Sequence, residues 1–484
     1  MTAYKPDDSP VHWAGWHLTW AAGALIVALS GCSMLPSQRP ALPQTPVPAA
    51  WSATTGAPAP ALALGQWWQR FNDPQLSALV TQALQANTDV RTAQAALQQA
   101  RALRDVRAAG LGPTAKASAS AQSSQTNSNT PTNTFQAGFD ASWEPDVFGG
   151  LRSTLNAAEA DAQAAQANLA NVQVSMAAEV AVSYIELRGL QARLAIARSN
   201  LVAQTETLQI TRWRAQAGLA SSLDVEQAVA ASEQTGAQIP ALQTSVAQNL
   251  SSLAVLTGQA PGALQDTVGA VVTPPAAVPQ PPPDLALSIP AQTLRQRPDV
   301  RAAEHRISAA LDRVAQADAA RYPGFQISGS VGLSALTLGT LTNGATVLNS
   351  LLASVSVPLF DGGAARAQVR AQEAALEQAR VAYQAAVLTA LKDVEDALVA
   401  LQGDRERLAR LQAATEAAAN ADLLARQRYA SGLIDFRTVL DTQRTLLSTQ
   451  DSVATTRASL SSDHVRLYKA LGGGWTPAQE TAAP

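Results

Sequence analysis

The chain has 484 residues, of which 15% are charged and 5% aromatic, and its formal net charge is −3. So neutral a chain offers no basic stripe for a nucleic-acid backbone. So few aromatic residues do not furnish several compact domains with large-side-chain cores; alanine and glutamine fill long stretches instead, which suits long helices in close contact.

An apolar run from Leu18 to Ala28 leads into Leu29-Ser30-Gly31-Cys32. A short apolar segment ending in small residues reads as a secretory signal, here residues 1–31, although Lys5 faces Asp7 and Asp8 in its charged region. Leu, two small residues and Cys resemble a bacterial lipobox, which implies cleavage before Cys32 and a lipid anchor on it. A chance cysteine after an ordinary signal is the alternative. Ser33, in place of an Asp, implies sorting to the outer membrane. Cys32 is the one cysteine of the chain, so stability in an oxidising compartment has to come from packing and assembly. Beyond the signal no apolar run approaches ~20 residues, and any membrane crossing has to be made by strands. Residues 32–65, rich in Pro and Ala, read as an extended tether.

Order is expected from Gln66 onward, in a first unit covering 66–272. Asp73-Pro74 marks a helix start, and helices are predicted from there to about Asn87 and from about Thr88 to Ala109, ending at Gly110. The period then changes to two. Ala115, Ala117, Ala119 and Ala121 alternate with Lys116, Ser118, Ser120 and Gln122; after a polar loop, Phe135, Ala137, Phe139, Ala141 and Trp143 alternate with polar or small residues. This predicts a strand pair over 113–143 with one apolar and one polar face, suited to a transmembrane barrel or, alternatively, to a soluble β-layer. A long helical hairpin is predicted over 150–257. Its apolar seam, Leu190, Leu194, Ala197, Leu201 and Leu208, steps by threes and fours with Gln204 filling a gap.

Six prolines between Thr273 and Pro283 mark a linker, 273–284, after which the design is written again over 285–475. Asp89-Val90-Arg91 returns as Asp299-Val300-Arg301, and Phe148-Gly149-Gly150 is matched to Asp361-Gly362-Gly363. Arg212-Trp213-Arg214-Ala215-Gln216-Ala217-Gly218-Leu219 returns as Arg426-Gln427-Arg428-Tyr429-Ala430-Ser431-Gly432-Leu433, 214 positions on. The second strand pair is predicted over 323–358 and the second hairpin over 363–471. Its seam of Leu391, Val394, Leu398, Leu401 and Leu408 is interrupted by Arg405. Residues 476–484 read as a disordered tail. Four strands cannot close a membrane barrel, whose smallest form has about eight. Three copies would give twelve.

No enzymatic chemistry is legible, and no cofactor is expected. His305 and His464 have no second His or Cys at metal-ligand spacing, and no phosphate-binding loop or nucleophile elbow is present.

With the lipobox, the motifs Arg297-Pro298-Asp299-Val300-Arg301 and Val357-Pro358-Leu359-Phe360-Asp361-Gly362-Gly363 and the paired Gly-Leu tips, the chain from about Gln66 to Trp475 resembles the lipoprotein branch of the TolC-like outer-membrane efflux channels (NodT/OprM-like). The resemblance implies a mainly helical fold with transmembrane β-structure. A homotrimer would form a twelve-stranded barrel and a periplasmic α-barrel, the passive exit duct of a tripartite efflux system for small amphipathic compounds. It further implies a periplasmic adaptor, an inner-membrane pump of the RND type and outer-membrane lipid as partners, with adaptor contacts at Ala217, Gly218, Leu219, Ser431, Gly432 and Leu433. A periplasmic gate falls on Asp224, Tyr429 and Asp441, with an Asp224–Tyr429 hydrogen bond holding the closed state and Asp441 lining the pore. Ile434 and Thr438 depart from the family's further polar gate positions. The exit duct of a protein-secretion system, and a pore-free coiled-coil lipoprotein, are the alternatives.

Overall fold

The structure, a computed structural model, describes residues 43, 46–51, 64–125, 131–269, 277–281 and 290–475. The signal segment, Cys32, most of the proline-rich linker and the carboxy-terminal tail lie outside the described residues. A 3-10 turn, Trp67–Phe71, leads into α1 (Pro74–Ala86), α2 (Thr88–Ala109), β1 (Thr114–Ser124), β2 (Thr132–Trp143), α3 (Gly150–Gln216) and α4 (Ser222–Leu256). There follow α5 (Pro290–Gln296), α6 (Pro298–Ala319), β3 (Gly324–Ala335), β4 (Thr346–Ser356), α7 (Ala364–Ala430) and α8 (Phe436–Ala470). The two copies match closely: α3 and α7 have 67 residues each, α4 and α8 have 35, and α2 and α6 have 22. At 1.5 Å per residue, α3 and α7 are each about 100 Å long.

Local chemistry sets these boundaries. Asp73 Oδ1 accepts from the Gln75 and Leu76 amides to start α1, and Asn87 Oδ1 accepts from Asp89 and Val90 to start α2. Gly149 (φ +76°) and Gly363 (φ +92°) hold the N-cap positions of α3 and α7. The structural counterpart of Gly149 is therefore Gly363, one residue later than the sequence matching. Asp146 stands three residues before its N-cap glycine and Asp361 two, and both still reach amides at the helix start, at Leu151 and Arg152 and at Gly363 and Ala365. Pro240 sits inside α4 on its exposed side, leaving the carbonyl four residues back to water.

Just before each recurring Asp-Val-Arg stands a polar side chain that reaches the end of a neighbouring helix. Asn87 Nδ2 donates to the Leu256 carbonyl at the end of α4 (2.9 Å). Arg297, at the corresponding place, donates from Nη1 to the Ala470 carbonyl at the end of α8 (2.9 Å) and from Nε and Nη2 to Asp299, with Nη2 also on Asp393 of α7 (3.1 Å). Each polar side chain satisfies a helix-end carbonyl that would otherwise be orphaned. Gly258 and Gly472 let the chain turn beside it: a Cβ at Gly258 would lie 2.6 Å from the Ala86 carbonyl oxygen.

The four strands form one antiparallel sheet in the order β1-β2-β3-β4. Register places Ala117, Phe139, Val331 and Asn349 in one row, and Ala115, Ala141, Gly329 and Leu351 in another. The apolar positions of β1, β2 and β3 thus share a face with Val347, Leu351, Ala353 and Val355 of β4 and with Asn349; Ser, Gln, Lys116 and Asp140 lie on the other, together with Leu348 and Leu352. Gly138 and Gly332 oppose each other across β2 and β3, where a Cβ on Gly138 would meet the Val331 carbonyl oxygen at 2.8 Å.

The largest core lies midway along the long helices, where α1, α3, α4 and α8 meet around Trp67, Phe71, Tyr184, Leu253 and Tyr468. Trp67 stacks on Tyr468 at 5.4 Å. Tyr184 donates to Asp73 (2.9 Å) and accepts from Arg188 (3.0 Å); burial pushes its hydroxyl up to about 12 against the pull of Arg188. The segment expected as an extended tether packs on the helices where it is described. Trp51 is buried against Val394, Leu398, Leu401 and Leu467, and Val47 packs by Val300 and Val387. One indole in a Pro/Ala segment carries enough apolar surface to pin it.

Two measurements test this account. Arg297→Ala removes the donor to a helix-end carbonyl and to two partly exposed carboxylates and should lower stability in denaturant unfolding by about 2 kcal/mol, whereas Asn87→Ala, losing a cap, should lower it by about 1 kcal/mol. His464 is 3% exposed, and burial, then Arg405 and Arg70, lowers its pKa from 6.5 to about 4. Between these values the unfolded chain binds more protons than the folded one, so stability falls as pH drops from 6.5 toward 4. His464→Gln should flatten that part of the melting-temperature profile.

Candidate functional site: sheet faces and hairpin tips

Two regions of the fold are exposed in ways a self-contained domain would not tolerate. The first is the sheet. Phe139, Val331, Val347, Leu351 and Val355 all stand on the apolar face, each more than half exposed, and Leu351 is 84% exposed. β1 and β4, 11 residues each, are open edges. The opposite face carries two charges on its strands, Lys116 and Asp140, in directly paired positions, with Ser118 Oγ donating to Asp140 (2.9 Å). Ser330 and Ser350 hydrogen-bond across β3 and β4 (2.8 Å), and Leu348 and Leu352 are the large apolar side chains on this face.

The second is the pair of tips. At the end of α3 the Gly218 amide donates to Ala215 and the Leu219 amide to Arg214, and Gly218 has φ +75°. At the end of α7 the Gly432 amide donates to Tyr429 and the Leu433 amide to Arg428, with φ +73° at Gly432. Both are glycine-ended helix stops with a doubled backbone bond. They leave Leu219 and Leu433 at the surface, 69% and 74% exposed. Ala217 and Ser431 are also exposed.

The gate residues expected from sequence fall in the same region, and within the single chain Asp224 and Tyr429 each make other contacts. Asp224 is taken up in a capping box, its Oδ2 accepting from the Ser221 amide (2.9 Å) and hydroxyl (2.8 Å) at the start of α4. The Tyr429 hydroxyl is buried with no hydrogen-bond partner among the described residues. Within the chain, an N-cap claims the carboxylate and packing claims the tyrosine. Tyr429 lies against Phe436 (ring centroids 5.4 Å apart) and under the Arg214 guanidinium (4.5 Å). Asp441 is an exposed carboxylate on α8 with Arg437 at 4.0 Å. Ile434 packs on the tip core, and Thr438 donates to Asp435, the N-cap of α8, holding that carboxyl below its usual range. Sequence reasoning assigned no role to Arg214 or Phe436. The signal for Arg214 was the repeated Arg-x-Arg before each Gly-Leu, but its partner lies in the other repeat.

The family model of the outer membrane efflux proteins matches residues 79–259 and 289–473. The chain belongs to that family. The toluene efflux pump outer membrane protein TtgF of Pseudomonas putida is 32% identical over 478 residues, covering 93% of this chain and 96% of its own length. The outer-membrane channel OprN is 36% identical at a TM-score of 0.82, covering 90% of this chain and 99% of its own. The open state of the MtrE outer membrane channel of Neisseria gonorrhoeae is 26% identical at a TM-score of 0.79, covering 92% and 99%. This efflux protein has the TolC-like fold and is the outer-membrane channel component of an efflux pump. The family is one of transport proteins, outer-membrane channels that extend into the periplasm.

Within the chain the tip glycines answer to positive φ and not to lack of space, since a Cβ at Gly218 would meet nothing within 4 Å. Gly218→Ala should cost about 1–2 kcal/mol and Gly218→Asn less, whereas both changes at Gly258 should be severe. Denaturant unfolding of the four variants separates positive φ from lack of space.

Proposed function

We propose that three copies of this chain close their sheets edge to edge, β4 of one against β1 of the next, into a twelve-stranded barrel that continues into a tunnel of helices. The assembly is a passive exit duct for small amphipathic compounds, and its energy comes from an inner-membrane pump of the RND type joined through a periplasmic adaptor. The observation that carries this reading is the four-stranded sheet, apolar on one exposed face and open at both edges, which one chain cannot complete in a membrane. A pore-free periplasmic spacer has no use for such a sheet. The polar face would line the lumen, and its paired Lys116 and Asp140 beside serines, Leu348 and Leu352 favour solutes of low net charge.

Cys32 is the proposed lipid anchor to the outer membrane, and the segment pinned by Trp51 runs from it. Ala217, Gly218, Leu219, Ser431, Gly432 and Leu433 are the proposed adaptor contacts, because two exposed leucines on rigid turns offer apolar knobs to a partner. Asp224, Tyr429 and Asp441 belong to the proposed periplasmic gate, with Asp441 from three chains facing the axis, where a ring of carboxylates attracts cations.

Purified trimers in a planar bilayer should give a small, cation-selective conductance, and Asp441→Ala should lose part of that selectivity. Trimers that pass no current in either form would contradict the duct reading.

A further inference from the structure

Duplication makes each element of one repeat a guide to its counterpart in the other: α6 follows α2 by 210 residues, and α7 follows α3 by 214. Inside the chain a helical seam joins the repeats, with α6 of the second lying on α3 of the first. Arg313 pairs with Asp161, Arg306 Nη2 donates to Asn168 (3.1 Å), and a Cβ on Gly150 would lie 3.2 Å from the Ala319 Cβ. These contacts fall on two stripes stepped by fours and threes. Thr154, Ala157, Asp161, Ala164 and Asn168 form the one on α3, and Ala302, Arg306, Ala309, Arg313 and Gln316 the one on α6. Their four alanines are buried.

Both stripes recur in the other repeat, and there they are bare. On α7 the positions are Gln368, Ala371, Ala375, Gln378 and Ala382, exposed save for the half-buried Ala375. On α2 they are Thr92, Ala96, Gln99, Leu103 and Val106, all exposed, the last two at 53% and 62%. The chemistry has changed as well. The stripes inside the chain carry Arg306, Arg313 and Asp161, whereas their counterparts carry no charge: Leu103 stands for Arg313, Ala96 for Arg306 and Ala375 for Asp161. Ala364 stands for Gly150, so α7 is approached less closely than α3, which leaves room for the larger side chains of α2. Next to the sheet, Phe148 stacks on Tyr322 within the chain (4.9 Å). Gly112 has the place of Tyr322 in the first repeat, and Leu359 and Phe360 stand 92% and 93% exposed before α7.

We propose that the α2 stripe of one copy packs on the α7 stripe of the next, Leu103 over Ala375 and Ala96 over Ala382, and that the exchange of charged for uncharged residues tells this seam from the one inside the chain. The partner is a second copy of this chain, because α2 is the duplicate of the helix that covers α3 and α7 is the duplicate of α3. The surface is also continuous with the β4-to-β1 pairing of the three-copy reading, on which the proposal rests: α2 leads into β1, and α7 follows β4. Such a contact joins different surfaces of two copies, head to tail, as a closed ring requires. Mispairing is disfavoured at both stripes. α6 of another copy on α7 would cover Arg313 with Ala375 opposite it, and α2 on α3 would cover Asp161 with Leu103; each strands a charge.

The test is assembly of the full-length protein in detergent, read by native mass, with helix content followed by circular dichroism. Leu103→Arg should lower the trimer fraction about tenfold with helix content retained, because a charge is covered without a partner. Adding Ala375→Asp, which copies the Arg313–Asp161 pair, should restore trimers. Leu103→Cys with Ala375→Cys, oxidised with copper phenanthroline, should give covalent trimers on a denaturing gel, and neither cysteine alone should; this pair decides the matter should Leu103→Arg fail to fold. Confirmed trimers that do not cross-link, trimers of Leu103→Arg at the wild-type level, or a double variant as poorly assembled as Leu103→Arg would each overturn the seam while the duct stands. Wild-type protein that never forms trimers would overturn the three-copy reading and the seam together. Cross-linked trimers that pass no current in a planar bilayer would support the seam and contradict the duct.

Discussion

Backbone amides and carbonyls in lipid have no water to bind, so a sheet that crosses a membrane cannot leave an edge unpaired. This chain has two such edges, β1 and β4, on a sheet of four strands. Neither α3 nor α7 can fold back to cover them, because each helix leaves the sheet and runs about 100 Å away from it. The open edges thus make assembly a condition of the fold. On β1 the apolar-face positions are all alanines, paired with Phe135, Ala137, Phe139 and Ala141 of β2.

Duplication supplies length at low cost in new design, and the two copies show which parts of the unit are fixed. Helix lengths are retained, as are the helix-stopping glycines at 218 and 432 and at 258 and 472. The group that satisfies the last helical carbonyl is not retained: an amide at Asn87, a guanidinium at Arg297. The requirement is a donor at that point, and either chemistry meets it. Arg297 adds links to Asp299 and Asp393 and so ties three helices where Asn87 ties two.

The elements were legible in the sequence wherever a local rule sets them. Asp73-Pro74, Asn87 and the tip glycines mark boundaries through their own backbone and side-chain geometry, and alternation marked the strand faces that the register bears out. What the sequence hid was contact between distant segments. Nothing local distinguishes Trp51 from any other residue of a Pro/Ala stretch, yet it fills a site made by α7 and α8. The Gly-Gly matching slipped by one because two glycines in a row fit either offset, and only the N-cap conformation decides. Asp224 could be read as a gate group or as the fourth residue of a Ser-x-x-Asp box; within the chain the local option holds.

The distribution of polar and apolar contacts along the rod has a consequence for motion. Around Trp67, Tyr184 and Tyr468 the helices share a dry core in which any shift would open a cavity. Toward the tips the core is smaller, joining Ala228, Ala231 and Ala425 to Leu208, Tyr429, Phe436, Val439 and Leu440. Alanine contacts allow two helices to slide because they interlock shallowly, and polar contacts can trade a partner for water at little net cost. A duct that must stay rigid at the membrane and yield at its far end needs that gradient. It is written into the chain as a core that shrinks from the aromatic waist to the tips.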